Sequence, residues 1–124
     1  MKDPSFNPPA PNSQIDSINN TAWNLLSSNI LTSRATSNKA LLLSKKNNYL
    51  LGKCEAYQFI GLSYFFQGNL DSALIMYDSA LVNRFNYGDS LLISGTLNNI
   101  GTVFKQKGEF DLALKHYYEA TEYI

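Results

Sequence analysis

Apolar side chains recur along this chain at helical spacing rather than in the alternation of a strand. Ile15, Ile18, Ala22, Leu25 and Leu26 fall three and four residues apart and mark one face of a helix, with Trp23 beside the stripe. Ser13, with Asp16 three residues on, predicts where that helix begins. The hydroxyl can accept from a first-turn N–H, and the carboxylate suits the positive helix end. A turn over residues 27–31 and a second helix from about Thr32 to Lys46 follow. Asn47, Asn48 and Tyr49 form a turn signal. The third helix is expected over 49–67, stopped by Gly68, with Asn69 capping a fourth that reaches about Asn83. Phe85 to Gly88 reads as a turn, Asp89 as a cap, 89–107 as a fifth helix ended by Gly108, and 109–123 as a sixth.

The pattern repeats. Gly61 and Gly101 each open a segment with an aromatic three residues later, Tyr64 and Phe104. Gly68 and Gly108 follow, then a bulky apolar residue, Leu70 and Phe110. Ala73 and Ala113, Tyr77 and Tyr117, and Ala80 and Ala120 complete two copies 40 residues apart. A fixed period of this size marks a stacked repeat architecture. Ala40 and Leu41 match Ala80 and Leu81 at the same offset, so residues 13–48 read as a degenerate first copy without paired glycines. Residues 49–88 and 89–124 are the clear ones. Two helices approach closely only where small residues face each other, and Tyr64 and Tyr77 would fill the space that Gly61, Ala73 and Ala80 leave.

Small residues at the close-packing positions, aromatic knobs and a turn glycine, twice in register, resemble the tetratricopeptide repeat, a helix–turn–helix unit. The resemblance implies an all-α fold, a right-handed superhelix of antiparallel helix hairpins. Its usual period is 34 residues. The longer period here adds about 9 Å of helix, expected around residues 84–92, and resembles long-repeat forms in kinesin light chains, bacterial peptide-binding regulators and the sensory regions of some bacterial histidine kinases. The family implies a scaffold for protein partners. The alternative is a regulatory segment of a larger bacterial signalling protein that binds a small peptide and passes a shape change to an effector domain.

Residues 1–12 hold all four prolines and no apolar period, which predicts an extended tail. Ten basic and ten acidic side chains cancel. Neutrality argues against nucleic acid or an anionic membrane surface, both of which want a basic face. No apolar run approaches the roughly 18 residues that span a bilayer, and no signal peptide is visible. The compartment is open between the cytoplasm and an exported domain with its signal removed. In the last helix, Ala113, Leu114, Tyr117, Tyr118 and Ile124 are apolar on more than one side. That predicts either a fragment of a longer array or a homodimer through the C-terminal helix.

In the family, the first helix of each repeat lines a concave groove. Carried over residue by residue, the groove positions are Glu55, Gln58, Phe59, Leu62, Phe65 and Phe66, then Asn98, Asn99, Thr102, Lys105 and Gln106. Asn19, Asn20, Trp23 and Ser27 are their counterparts in the first copy. Asn amides both donate and accept, as an extended peptide backbone requires, and aromatic anchors carry much interface energy. Only Lys105 is basic, a departure from the subtype that grips C-terminal carboxylates with several basic residues. No cofactor, metal or catalytic group is expected. His116 is the sole histidine and Cys54 the sole cysteine, with no ligand spacing around them. Asp71 and Asp111 repeat in register and read as helix-end charges rather than an acid/base pair.

Overall fold

The computed structural model describes residues 10–124. It contains six helices: α1 (Pro11–Leu25), α2 (Ile30–Lys46), α3 (Leu50–Phe66), α4 (Leu70–Tyr87), α5 (Ser90–Gln106) and α6 (Phe110–Thr121). Each packs on the next, and α1 also touches α3, so the chain is a solenoid of three hairpins. The described residues contain no strand.

Glycine–tyrosine pairs set the hairpin spacing. A methyl group added at Gly61 would lie 2.6 Å from Cε1 of Tyr77, and one at Gly101 would lie 2.7 Å from Cε1 of Tyr117. The ring therefore lies flat against a backbone with no side chain of its own, twice, in register. The core divides among the hairpins. Ile15, Ala40, Leu41, Ala56 and Ile60 join α1, α2 and α3. Ala73, Tyr77, Ile100 and Val103 join α4 and α5. Ile93, Leu97 and Ala120 join α5 and α6.

Three turns close in the same way. The amides of Tyr49, Asn69 and Glu109 reach back to the carbonyls of Ser44, Tyr64 and Phe104, each at 2.9 Å. The preceding residue in each, Asn48, Gly68 or Gly108, has positive φ, as a Schellman closure needs. Asn48 also stands 40 residues before Gly88, the left-handed residue that ends α4. The first copy thus uses Asn, the next-best left-handed residue, where the second uses glycine.

Four boundary expectations change. The first helix starts at Pro11, with proline in its first turn and no side-chain cap, so Ser13 lies inside it. Proline's fixed φ and missing N–H suit that position. The expected tail falls mainly on residues 1–9, outside the described residues. Asn29 caps α2 by accepting from the Thr32 amide, so that helix begins at Ile30. Asn69 makes no side-chain cap, whereas Asp89 accepts from the Leu92 amide as expected. Residues 85–87 continue α4, and the chain reverses at Gly88 alone. Arg84 fixes this extension. Its Nη1 donates to the Leu92 carbonyl and to Thr96 Oγ1, both at 2.8 Å, and the Phe85 ring meets Tyr123 at 5.8 Å.

Candidate functional site

The first helices of the three hairpins, α1, α3 and α5, carry every residue the sequence placed in a groove except Ser27, which lies in the turn after α1. The structure sorts most of those residues into three groups; of the others, Asn19 is buried and Asn20 exposed. Trp23, Phe59, Phe66 and Ser27 come together. The Trp23 and Phe59 rings are 5.6 Å apart and tilted by 40°, and Phe65 meets Phe66 edge-on at 5.8 Å. Trp23 is 55% exposed and Phe66 58%. Between them opens a cleft of about 480 Å³ lined by Trp23, Asn24, Leu26, Ser27 and Phe66. No lining residue is charged, and Asn24 and Ser27 supply its polar atoms.

A second group stands in register on α5. Asn99, Thr102, Lys105 and Gln106 occupy the positions of Phe59, Leu62, Phe65 and Phe66, one period on. Lys105 and Gln106 are exposed; Asn99 and Thr102 are half-buried. Thr102 Oγ1 lies 3.0 Å from the Tyr117 hydroxyl, so its side chain is engaged across the hairpin.

The third group is withdrawn from the face. Gln58 is 7% exposed, and its Oε1 accepts from Thr96 Oγ1 at 3.5 Å. This register position points at the neighbouring first helix rather than at a ligand. Asn98, its counterpart on α5, is exposed, with no further helix packed on it among the described residues. Leu62 and Phe65 are half-buried against the α4–α5 core, which makes them walls more than contact points.

Sequence reading did not place Asn24 or Leu26 in the groove, Leu26 counting only toward the apolar stripe of the first helix. They line the cleft at the last turn and C-cap of α1, beside Phe66 at the end of α3, and a stripe count carries no signal for that. It also missed a buried polar cluster behind the face. Arg84, 7% exposed, reaches Thr96 and the Leu92 carbonyl, with its Nε unpartnered. Burial lowers its pKa, and the charges of Cys54 and Glu55 offset part of that. Burial, then the nearby Asp16 charge, raises the Glu55 carboxyl. Burial, then the hydrogen bond its hydroxyl gives Asp16 Oδ1 at 2.7 Å, pushes Tyr49 up to about 12.

The single cysteine and histidine have structural surroundings. Cys54 is fully buried, and burial raises its thiol pKa, the reverse of an activated nucleophile. The His116 ring stacks on Phe104 at 5.1 Å, and its Nδ1 lies 2.8 Å from the Leu112 carbonyl. The ring thus packs between α5 and α6. Asp71 Oδ1 pairs with Lys107 Nζ at 2.6 Å and ties α4 to the end of α5. Among the described residues no three His, Cys, Asp or Glu side chains cluster as metal ligands, and no helix is long and apolar enough to cross a membrane.

With this geometry in view, the tetratricopeptide repeat family profile matches residues 53–123. The chain belongs to the tetratricopeptide repeat family. Its fold is similar to the crystal structure of the TPR domain of Arabidopsis FLU, with a TM-score of 0.81 and 17% identity over 91% of this chain and 96% of that one. That likeness speaks to the fold alone. No curated protein sequence matches the chain. The family match also covers the two clear repeats that the glycine–tyrosine register defines, and repeats of this kind are protein-interaction modules.

Proposed function

We propose that this chain is a binding scaffold that holds a peptide or protein segment across the face of α1, α3 and α5. An apolar side chain of that segment sits between Trp23 and Phe66. The observation that carries this reading is the cleft itself: two large rings, each more than half exposed, around an uncharged depression. Exposed aromatic patches of this kind are unusual on a surface with no partner, and buried aromatic anchors dominate interface energetics. The amides of Asn24 and Asn99 can both donate to and accept from an extended backbone on either side of the anchor. With Lys105 the only cation among the groove positions, the face suits an uncharged segment or one with a single acidic residue. Neutral overall charge supports a polypeptide over nucleic acid.

Trp23 is the only tryptophan, so its emission reports on the cleft directly. Peptides selected on the intact chain from a random display library should shift and quench that emission. They should bind at least about tenfold more weakly to Phe66→Ser, which the circular dichroism spectrum should show to be folded. Selected peptides that leave Trp23 emission unchanged and bind Phe66→Ser equally well would remove the cleft from the reading.

A further inference from the structure

We propose that the seam between α2 and α4, floored by the side of α3 that faces away from Phe59 and Phe66, is a second binding surface, and that its occupant is an acidic polypeptide segment. Carboxylates of that segment meet Lys45 and Lys53, and apolar side chains rest on Leu42 and Val82 at the two rims. The inference goes beyond the cleft on α1 and α3 and rests on none of its residues.

The chain carries a second copy of this seam, one period on, between α4 and α6 over α5. That copy is sealed by apolar packing. Phe85 of α4 meets Tyr123 of α6 across it, the rings 5.8 Å apart. Ile93 and Leu97 lie buried beneath, packed by Leu81 and Tyr123. One period earlier the same positions read Lys45 for Phe85, Asn83 for Tyr123, Lys53 for Ile93 and Tyr57 for Leu97. The apolar closure is gone. Asn83 turns onto its own helix and donates to the Ser79 carbonyl at 2.7 Å. Lys45 reaches over the Tyr57 ring, 5.9 Å from its centroid, and Lys53 and Tyr57 are only half-buried. The other end of the seam is already filled. There Arg34 stacks 3.8 Å over the Tyr64 ring, and its Nε donates to Ser63 Oγ at 2.9 Å.

The charge at this opening has no local answer. Residues 17–54 hold Arg34, Lys39, Lys45, Lys46 and Lys53 without a single Asp or Glu. Among the described residues no carboxylate lies within ion-pair distance of Lys45 or Lys53. On α4, Asp71 pairs with Lys107, and the charge of His116 acts on Asp78, which puts that carboxylate on the α6 side. Lys45 and Lys46 suit the negative end of α2. Lys53 has no such reason to be where it is. It closes the first turn of α3, where the helix end is positive. The rims are apolar and open, with Leu42 69% exposed and Val82 61%. Two lysines and a phenol in a seam between helices suit an extended acidic chain, which gains charge-assisted bonds there. Nucleic acid fits less well, because its affinity rests on many phosphate contacts and this seam offers few cations. A membrane fits less well too, because Lys53 lies on the floor, between two helices that hold a flat surface away.

The test follows amide chemical shifts of the intact, isotope-labelled chain. The probe is a short synthetic peptide in which Asp and Glu residues flank a central leucine. Saturable shifts are expected at Lys45, Lys53, Tyr57 and Asn83, and none of them with the same peptide carrying Asn and Gln for Asp and Glu. Lys45→Glu together with Lys53→Glu should weaken binding at least about tenfold. Lys45→Glu alone, at an exposed position, should weaken it several-fold. Lys39→Glu makes the same charge change on the other flank of α2 and should leave binding unchanged. So should Phe66→Ser, which disables the cleft and keeps the two surfaces separable. Circular dichroism confirms that the variants are folded. Absence of saturable shifts at the seam, or an equal loss with Lys39→Glu, would overturn the proposal. So would a DNA duplex or a phosphatidylserine vesicle that shifts the same residues at lower concentration than the peptide does.

Discussion

A methyl group at Gly61 has nowhere to go. It would sit 2.6 and 2.7 Å from Cε1 and Cδ1 of Tyr77, well inside carbon–carbon contact distance. Tyr77 is 1% exposed and wedged among Ala73, Ile100 and Val103, so the ring cannot swing aside without displacing α5. Overpacking of this sort costs roughly 1–3 kcal/mol, and a rigid, enclosed ring puts the cost near the upper end. Against it stands the helix propensity gained by replacing glycine in a helix interior, roughly 1 kcal/mol. Gly61→Ala should therefore destabilise the fold by about 2 kcal/mol. Gly95→Ala supplies the control. Gly95 is also inside a helix, and nothing lies within 4 Å of its added methyl. The propensity term acts alone there, and the variant should gain about 1 kcal/mol. The two single-methyl variants should thus differ by about 3 kcal/mol in opposite directions. In urea unfolding followed at 222 nm, with a slope of about 1.5 kcal/mol per molar, their midpoints should part by about 2 M. Adding Tyr77→Leu should shrink the Gly61→Ala loss, since the atoms in conflict are the ring's. A Gly61→Ala midpoint equal to or above the native one would refute the argument, as would an equal loss at Gly95.

Other measurements check the surrounding structure. Burial and the Asp16 charge raise the Glu55 carboxyl above its ordinary value of 4.5. Folding therefore favours its protonated form, and its contribution is full below about that pH and fades as pH rises through the raised value. Glu55→Gln should match the native chain at pH 4 and exceed it in stability at pH 7; equal stability at both would sink the claim. Cys54, fully buried with a raised pKa, should resist Ellman's reagent in the native state and react once urea unfolds the chain. Fast native reaction would place the thiol at the surface. Arg84→Ala should cost about 2–4 kcal/mol, because it removes the two charge-assisted hydrogen bonds to the Leu92 carbonyl and Thr96 hydroxyl and opens a cavity. Arg84→Lys, which keeps the charge but loses the planar fork, should also destabilise. A Lys variant as stable as the native chain would show that charge alone suffices there.

Local chemistry wrote most of the fold into the sequence. The 40-residue register of glycine, aromatic and alanine named the hairpins, and Gly68, Gly88 and Gly108 named turns because a left-handed backbone favours glycine. The end of α4 was harder to read. Phe85-Asn86-Tyr87 has the look of a turn, and only the tertiary bonds from Arg84 to Leu92 and Thr96 carry the helix past it. The candidate face was legible as a list and illegible as a surface. Phe59, Phe66 and Trp23 were on that list, but their convergence depends on α1 ending beside the end of α3, a relation between distant segments.

The remaining distance between sequence and site lies in what covers each position. Gln58 and Asn98 share a register, as do Leu74 and Leu114, Tyr77 and Tyr117, and Asp71 and Asp111. A sequence pattern assigns each pair one role. The structure gives them two, because α5 packs on or pairs with the first member of each pair, and among the described residues no further helix packs on the second. Burial in a stacked repeat is a property of the neighbouring unit, not of the residue. A periodic sequence can therefore say what kind of surface a helix presents but not whether that surface is already taken.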